Sequence, residues 1–147
     1  MELDDNNNAH EQGDYVEIYS RRAIFWFSVL ADPLFGGALL IINLWSAGYK
    51  RAVALVVFFL VVYEAVVTKT QSWYTIHYKV DFAVADNNLL VFVLMSKAFQ
   101  VAGAIILTRF LYKKYFPDDD YYPRSIINPL LIVVFIVMLL AYRGITF

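Results

Sequence analysis

Asp32 and Lys97 are the residues whose type and placing first suggest chemistry, because each is a charge inside a long apolar run. A single charge of this kind costs about 2.5–3.5 kcal/mol at the centre of a bilayer, so an acid and a base at matching depth invite pairing. Gln100 lies three residues beyond Lys97, on the same helical face, and is placed to complete the hydrogen bonding. Glu64 approaches the same level from another apolar run. Asp32, Lys97, Gln100 and Glu64 therefore form a candidate polar cluster. Two chemistries fit it. One is an ion, proton or ligand site in which Asp32 or Glu64 titrates. The other is a buried ion pair that fixes the register of two helices. A register pair should tolerate Asp32→Asn together with Lys97→Gln, whereas a titrating site should not. Asn43, Asn128 and Arg109 form a second candidate polar layer at another depth.

Other chemistries fail on inventory. The chain has no cysteine and two histidines, His10 and His77, so neither a thiolate nucleophile nor a His/Cys metal centre is expected. Asp118-Asp119-Asp120 reads as a solvated acidic loop. No G-x-S-x-G, Walker A or G-x-G-x-x-G motif occurs. Catalysis, a bound cofactor and a metal are accordingly not expected. A formal net charge of −1 argues against nucleic-acid binding driven by bulk electrostatics.

The elements that must position the cluster are unusually apolar. Hydrophobic residues make up 61% of the 147-residue chain, too much for a soluble fold of this size to cover. Residues 1–22 read as a polar, acidic tail without the basic and apolar regions of a signal peptide. Residues 23–147 read as an all-α domain, a bundle of four transmembrane helices with both termini on one side. The spans are expected near 23–45, 52–67, 88–111 and 126–142. Each is apolar all round, which suits a helix facing lipid. Asp32-Pro33 implies a kink within the first span. Between the second and third spans, Gln71 to Phe82 alternates with period two, which points to a strand or an interfacial coil. Its Trp73, Tyr74 and Tyr78 suit the headgroup level.

Small residues add an assembly signal. Ser28, Asp32 and Gly36, widened by Gly37, fall on one stripe of the first span, and Ala98, Ala102 and Gly103 on the third. Such stripes let helix backbones approach in lipid. With four spans, Lys and Arg tie between the faces: Arg21, Arg22, Lys69, Lys79 and Arg143 against Lys50, Arg51, Lys113, Lys114 and Arg124. Orientation then rests on the acidic tail, which is simplest to leave in the cytoplasm.

Asp32-Pro33-Leu34-Phe35-Gly36-Gly37, leading into Asn43 and Gly48-Tyr49-Lys50, resembles the first helix of a group of small four-span bacterial membrane proteins with a Pro-Leu-x-Gly-Gly-type motif. Tyr112-Lys113-Lys114-Tyr115-Phe116 and Tyr122-Pro123-Arg124-Ser125-Ile126-Ile127-Asn128-Pro129-Leu130 resemble that group's basic-aromatic stretch before the last helix. The likeness runs from about Tyr19 to the C-terminus and departs at Ala31-Asp32, where the group has Phe-Gly. It implies a four-span architecture and a bacterial inner membrane, and carries no activity. The partners expected are the lipid bilayer and a second copy or another membrane protein. The function expected is an accessory, immunity or scaffold subunit acting without catalysis. The alternatives are an oligomeric pore or membrane-perturbing effector, or a small carrier.

Overall fold

The computed structural model describes residues 17–117 and 122–142. Residues 1–16 of the expected acidic tail (His10 among them), Asp118-Asp119-Asp120 and Arg143 lie outside the described residues. In chain order the elements are β1 (Glu17–Ile18), α1 (Arg21–Leu30), α2 (Pro33–Ser46), α3 (Lys50–Tyr78), α4 (Asn87–Ile105), a π-helical segment (Ile106–Tyr112), α5 (Lys113–Tyr115), β2 (Tyr122–Pro123) and α6 (Ile127–Tyr142). The π-helical segment and α5 continue α4 as one helix, Asn87–Tyr115. Residues 17–22 of the expected tail instead form β1 and the start of α1, with Ile18 and Tyr19 buried, because their backbone and apolar side chains pack against α2.

The first apolar run is not one kinked span but a hairpin of two helices. α1 ends at Leu30, and Asp32 then caps α2: its Oδ1 accepts the Leu34 N–H at 2.8 Å, with Pro33 at the first helical position. An acidic cap followed by proline is a helix-start signal, because proline has no N–H to leave unpaired there. The chain reverses at this point, and the two helices lie against each other. A Cβ on Gly36 would fall 1.8 Å from Ser28 Oγ and 2.6 Å from the Ile24 carbonyl oxygen, so only glycine allows this approach. At the open end of the hairpin Asn43 closes the pair. Its Oδ1 accepts the Tyr19 N–H at 2.7 Å, and its Nδ2 donates to the Tyr19 carbonyl at 2.8 Å.

A turn at Gly48, held at φ 79°, leads into α3. α3 and α4 pack antiparallel. Gln71 Nε2 donates to Ser96 Oγ at 3.1 Å, and the Tyr63 hydroxyl donates to the Phe99 carbonyl. These two long helices, Lys50–Tyr78 and Asn87–Tyr115, are the ones long and apolar enough to cross a membrane. α2 and α6 are apolar but shorter, so among the described residues the chain has two helices of spanning length where four spans were expected.

Three expectations change for physical reasons. The expected strand or coil at Gln71 to Phe82 is helical through Tyr78. Its aromatics meet at helical spacing, with Trp73 stacked on His77 at 5.1 Å and Tyr74 against Tyr78 at 4.6 Å. The i, i+4 contacts outweigh a period-two pattern that had no partner strand. The short second run therefore lengthens to 29 residues. Third, the hairpin returns the chain to the end it started from. β1 pairs in parallel with β2, Glu17 beside Tyr122 and Ile18 beside Pro123, and Tyr49 packs on Tyr115. The start of the described chain, the Gly48 turn and the segment before α6 thus share one end of the bundle. Same-side termini had rested on an even number of spans, and the described residues do not confirm that number.

The buried core lies at this shared end, where Ile24, Leu40, Leu44, Val56, Leu107 and Tyr112 close around the hairpin. Beyond the tip, α3 and α4 continue as a pair. The hairpin contact generates a prediction. Gly36→Leu should force α1 from α2 and destabilise the protein by about 2 kcal/mol or more, from overpacking at a backbone contact. Asn43→Ala should cost roughly 1–3 kcal/mol through the buried Tyr19 peptide groups it leaves unpaired. Ala38→Leu, at an exposed position of the same helix, should change stability by less than about 0.5 kcal/mol. Chemical denaturation in detergent followed by circular dichroism reads all three.

Candidate functional site

The hairpin tip carries Asp32 to mid-length of α3. Glu64 lies fourteen residues along α3 from Lys50, about 21 Å at 1.5 Å per residue, in a helix about 43 Å long. Here Asp32 and Glu64 line one cleft. It measures about 80 Å³, lies between the tip, α3 and α4, and is lined also by Tyr63, Thr68, Gln71, Ser96 and Gln100.

Each side chain is placed by its local structure. Asp32 is held by its cap to the Leu34 N–H. Pro33, the next residue, packs so closely on α4 that a Cβ on Gly103 would lie 2.7 Å from its ring. Glu64 follows Tyr63, whose hydroxyl anchors α3 to the Phe99 carbonyl. Gln71 and Ser96 bridge α3 and α4 one to two turns away. The cleft therefore combines two carboxyls, amides and hydroxyls, an oxygen-rich set suited to a proton or a small hard cation rather than to a soft metal.

The expected cluster is assembled in part. Asp32, Glu64 and Gln100 share the cleft, and Lys97 joins through Gln100, its Nζ donating to Gln100 Oε1 at 2.8 Å. The expected Asp32–Lys97 pairing gives way to Asp32 beside Glu64. The reason lies in the fold. Depth matching had assumed that Asp32 sits in a continuous helix parallel to α4, whereas α1 folds back and Lys97 lies on an exposed face of α4.

The second polar layer is not assembled. Asn43 is buried and spends its amide on the Tyr19 backbone, Arg109 is exposed beside α1, and Asn128 is exposed on α6. The small-residue stripes divide in the same way. Ser28 and Gly36 face each other across the hairpin rather than a separate helix, Gly37 receives Leu60, and Gly103 receives Pro33. Ala98 and Ala102 are exposed and take no part in this packing. Trp73 and Tyr78 are exposed near the far end of α3, with Tyr74 half-buried against Phe92.

Sequence reasoning missed Tyr63, Thr68, Gln71 and Ser96. Glu64, Thr68 and Gln71 do fall at i, i+4 and i+7 on one face of α3, and that spacing was the available signal, masked by Lys69, Thr70 and Ser72 around it. Among the described residues no group of three or more His, Cys, Asp and Glu side chains is placed to hold a metal.

The geometry separates the two roles of Asp32. Asp32→Asn keeps the capping oxygen and should leave stability within about 0.5 kcal/mol, whereas Asp32→Ala should cost about 1 kcal/mol from the lost cap. A double-mutant cycle of Asp32→Asn and Lys97→Gln should give a coupling below about 0.5 kcal/mol, because the two do not pair. Unfolding in detergent measures both, and a coupling above about 1 kcal/mol would restore the ion pair. No family model matches this chain, and searches of curated proteins and of solved structures likewise found no match.

Proposed function

We propose that this is a polytopic integral membrane protein, of the bacterial inner-membrane type, that acts without catalysis by handling a proton or small cation at the tip of a re-entrant hairpin. The observation that carries this reading is that Asp32 and Glu64 share one cleft midway along two membrane-length helices, with Lys97 engaged by Gln100 instead. Two adjacent carboxyls repel each other unless a proton or another cation stands between them. Irregular backbone at mid-depth is tolerated where it is enclosed by protein or lines a polar cavity, and broken helices at that depth are a recurrent way to build ion sites.

The hairpin also supports an orientation. With α1 and α2 entering and leaving at one end, that end carries Arg21, Arg22, Lys50, Arg51, Lys113, Lys114 and Arg124. Among the described residues the opposite end carries Lys69 and Lys79. The positive-inside rule then favours the hairpin's open end in the cytoplasm.

A second reading, an accessory or scaffold subunit that works by assembling with itself or a partner, draws on a different observation. The most apolar stretches of α3 and α4 are only 22% and 11% buried within the chain. So open a pair does not enclose a conduction path alone, and the cation site would operate within an oligomer.

Because the chain has no cysteine, single cysteines can be introduced without background. Cysteines at Ser20 and Ala47 should be labelled from the same side of sealed inner-membrane vesicles, and one at Ala83 from the other. Labelling of Ser20 and Ala47 from opposite sides would restore a continuous first span. In proteoliposomes the wild type should pass protons or Na⁺ down an imposed gradient. Asp32→Asn and Glu64→Gln should each lower that flux at least about tenfold, as expected for loss of a charged ligand. Flux that persists in both variants, or is absent from the wild type, would leave the assembling subunit.

A further inference from the structure

Arg21 and Arg22 occupy the first two helical positions of α1, whose first turn contains no acid. Basic side chains there oppose the helix dipole, so helix stability does not account for them. Across a groove of about 450 Å³ stands Arg109, on the π-helical segment of the neighbouring helix. A π turn inserts an extra residue per turn and re-aims the side chains that follow; such turns are frequent at functional sites. Among the described residues no hydrogen bond or ion pair engages any of the three guanidinium groups.

Below the arginines the groove is lined by Phe25, Trp26 and Ile105 and by Thr108, whose hydroxyl is spent on the Ala104 carbonyl. Trp26 and Ile105 also face outward, at 55% and 39% exposure, so the groove runs from a cationic mouth onto the outer surface of the helices. A free anion would use the mouth alone. A phospholipid would use both parts, its phosphate on the guanidiniums and its acyl chains along Trp26 and Ile105.

We propose that Arg21, Arg22 and Arg109 form a binding site for the phosphodiester headgroup of an anionic phospholipid, at the same end of the bundle as the hairpin's open end. Three fixed positive charges favour a headgroup of net negative charge over a zwitterionic one. Occupancy would tie α1 to the neighbouring long helix and so brace the hairpin whose tip carries Asp32. The proposal rests on the membrane reading above and is independent of what the tip cleft binds.

Native mass spectrometry of the full chain in detergent, offered equal phosphatidylglycerol and phosphatidylcholine, tests it. Phosphatidylglycerol adducts should exceed phosphatidylcholine adducts several-fold. Retention should fall about fivefold for each arginine removed, and most in the variant carrying R21Q, R22Q and R109Q. The K113Q/K114Q variant, which loses charge at the same end of the bundle, should retain the lipid. The triple Arg→Lys variant keeps the charge and the helix start while removing bidentate contact, and should bind at an intermediate level. Equal binding of the two lipids, or unchanged binding in the triple Gln and triple Lys variants, overturns the proposal. So does displacement of the lipid by millimolar inorganic phosphate, which would identify the ligand as a free anion. Release of the wild type from membranes by alkaline carbonate would instead overturn the membrane reading, and is measured separately.

Discussion

The close approach of Gly36 to Ser28 and the Ile24 carbonyl is the contact on which the rest of the architecture depends. Two helices meet there at backbone distance, and the room exists only because Gly36 has no side chain. Ser28 Oγ donates to the Ile24 carbonyl at 2.8 Å, so the serine presents no unpaired hydroxyl to the contact. The Asn43 amide performs the same service at the open end, satisfying both the N–H and the C=O of Tyr19 where the chain enters α1. A buried peptide group left unpaired is costly in any apolar setting and most of all in lipid. The hairpin is therefore closed by the Asp32 cap at its tip, by the Asn43 amide at its open end and by the glycine contact between them.

From that contact the position of the polar cleft follows. Folding α1 back on α2 puts the helix reversal, and so Asp32, at the far end of a short hairpin instead of inside a long span. α2 is fourteen residues long, about 21 Å, and the run of α3 from Lys50 to Glu64 is the same length. Asp32 and Glu64 reach the same cleft because nearly equal helix lengths are measured from one turn at Gly48. α4 closes the third side, with Gly103 admitting the Pro33 ring and Phe99 accepting from Tyr63. The core gathers at the hairpin's end of the bundle, while α3 and α4 leave much of their apolar surface to lipid or to another protein, as the proposed setting requires.

The same reversal changes the charge distribution. As a continuous span, the first run would place Arg21 and Arg22 opposite Lys50 and Arg51. As a hairpin it gathers all four at one end, beside Lys113, Lys114 and Arg124. The orientation argument and the arginine groove both come from this one topological fact. Neither depends on the chemistry at the tip.

Composition and apolar run length were enough to establish a helical protein with membrane-length helices, because the hydrophobic excess and the 1.5 Å rise per residue are local quantities. Asp32, Glu64, Gln100, Ser28, Gly36 and Gly103 could also be singled out, since a polar or small residue in an apolar run stands out without any structure. Their pairings were not. Asp32-Pro33 is locally compatible with a kink or with the start of a new helix, and only the fit of Gly36 against Ser28 selects the second. The period-two pattern after Gln71 was likewise ambiguous until Trp73 and His77, and Tyr74 and Tyr78, found each other at helical spacing. Which charges share a depth, which residues share an end and which carboxyl meets which depend on the direction of each helix. That direction is set by a contact between residues eight apart in sequence, which a periodicity averaged along one helix does not register.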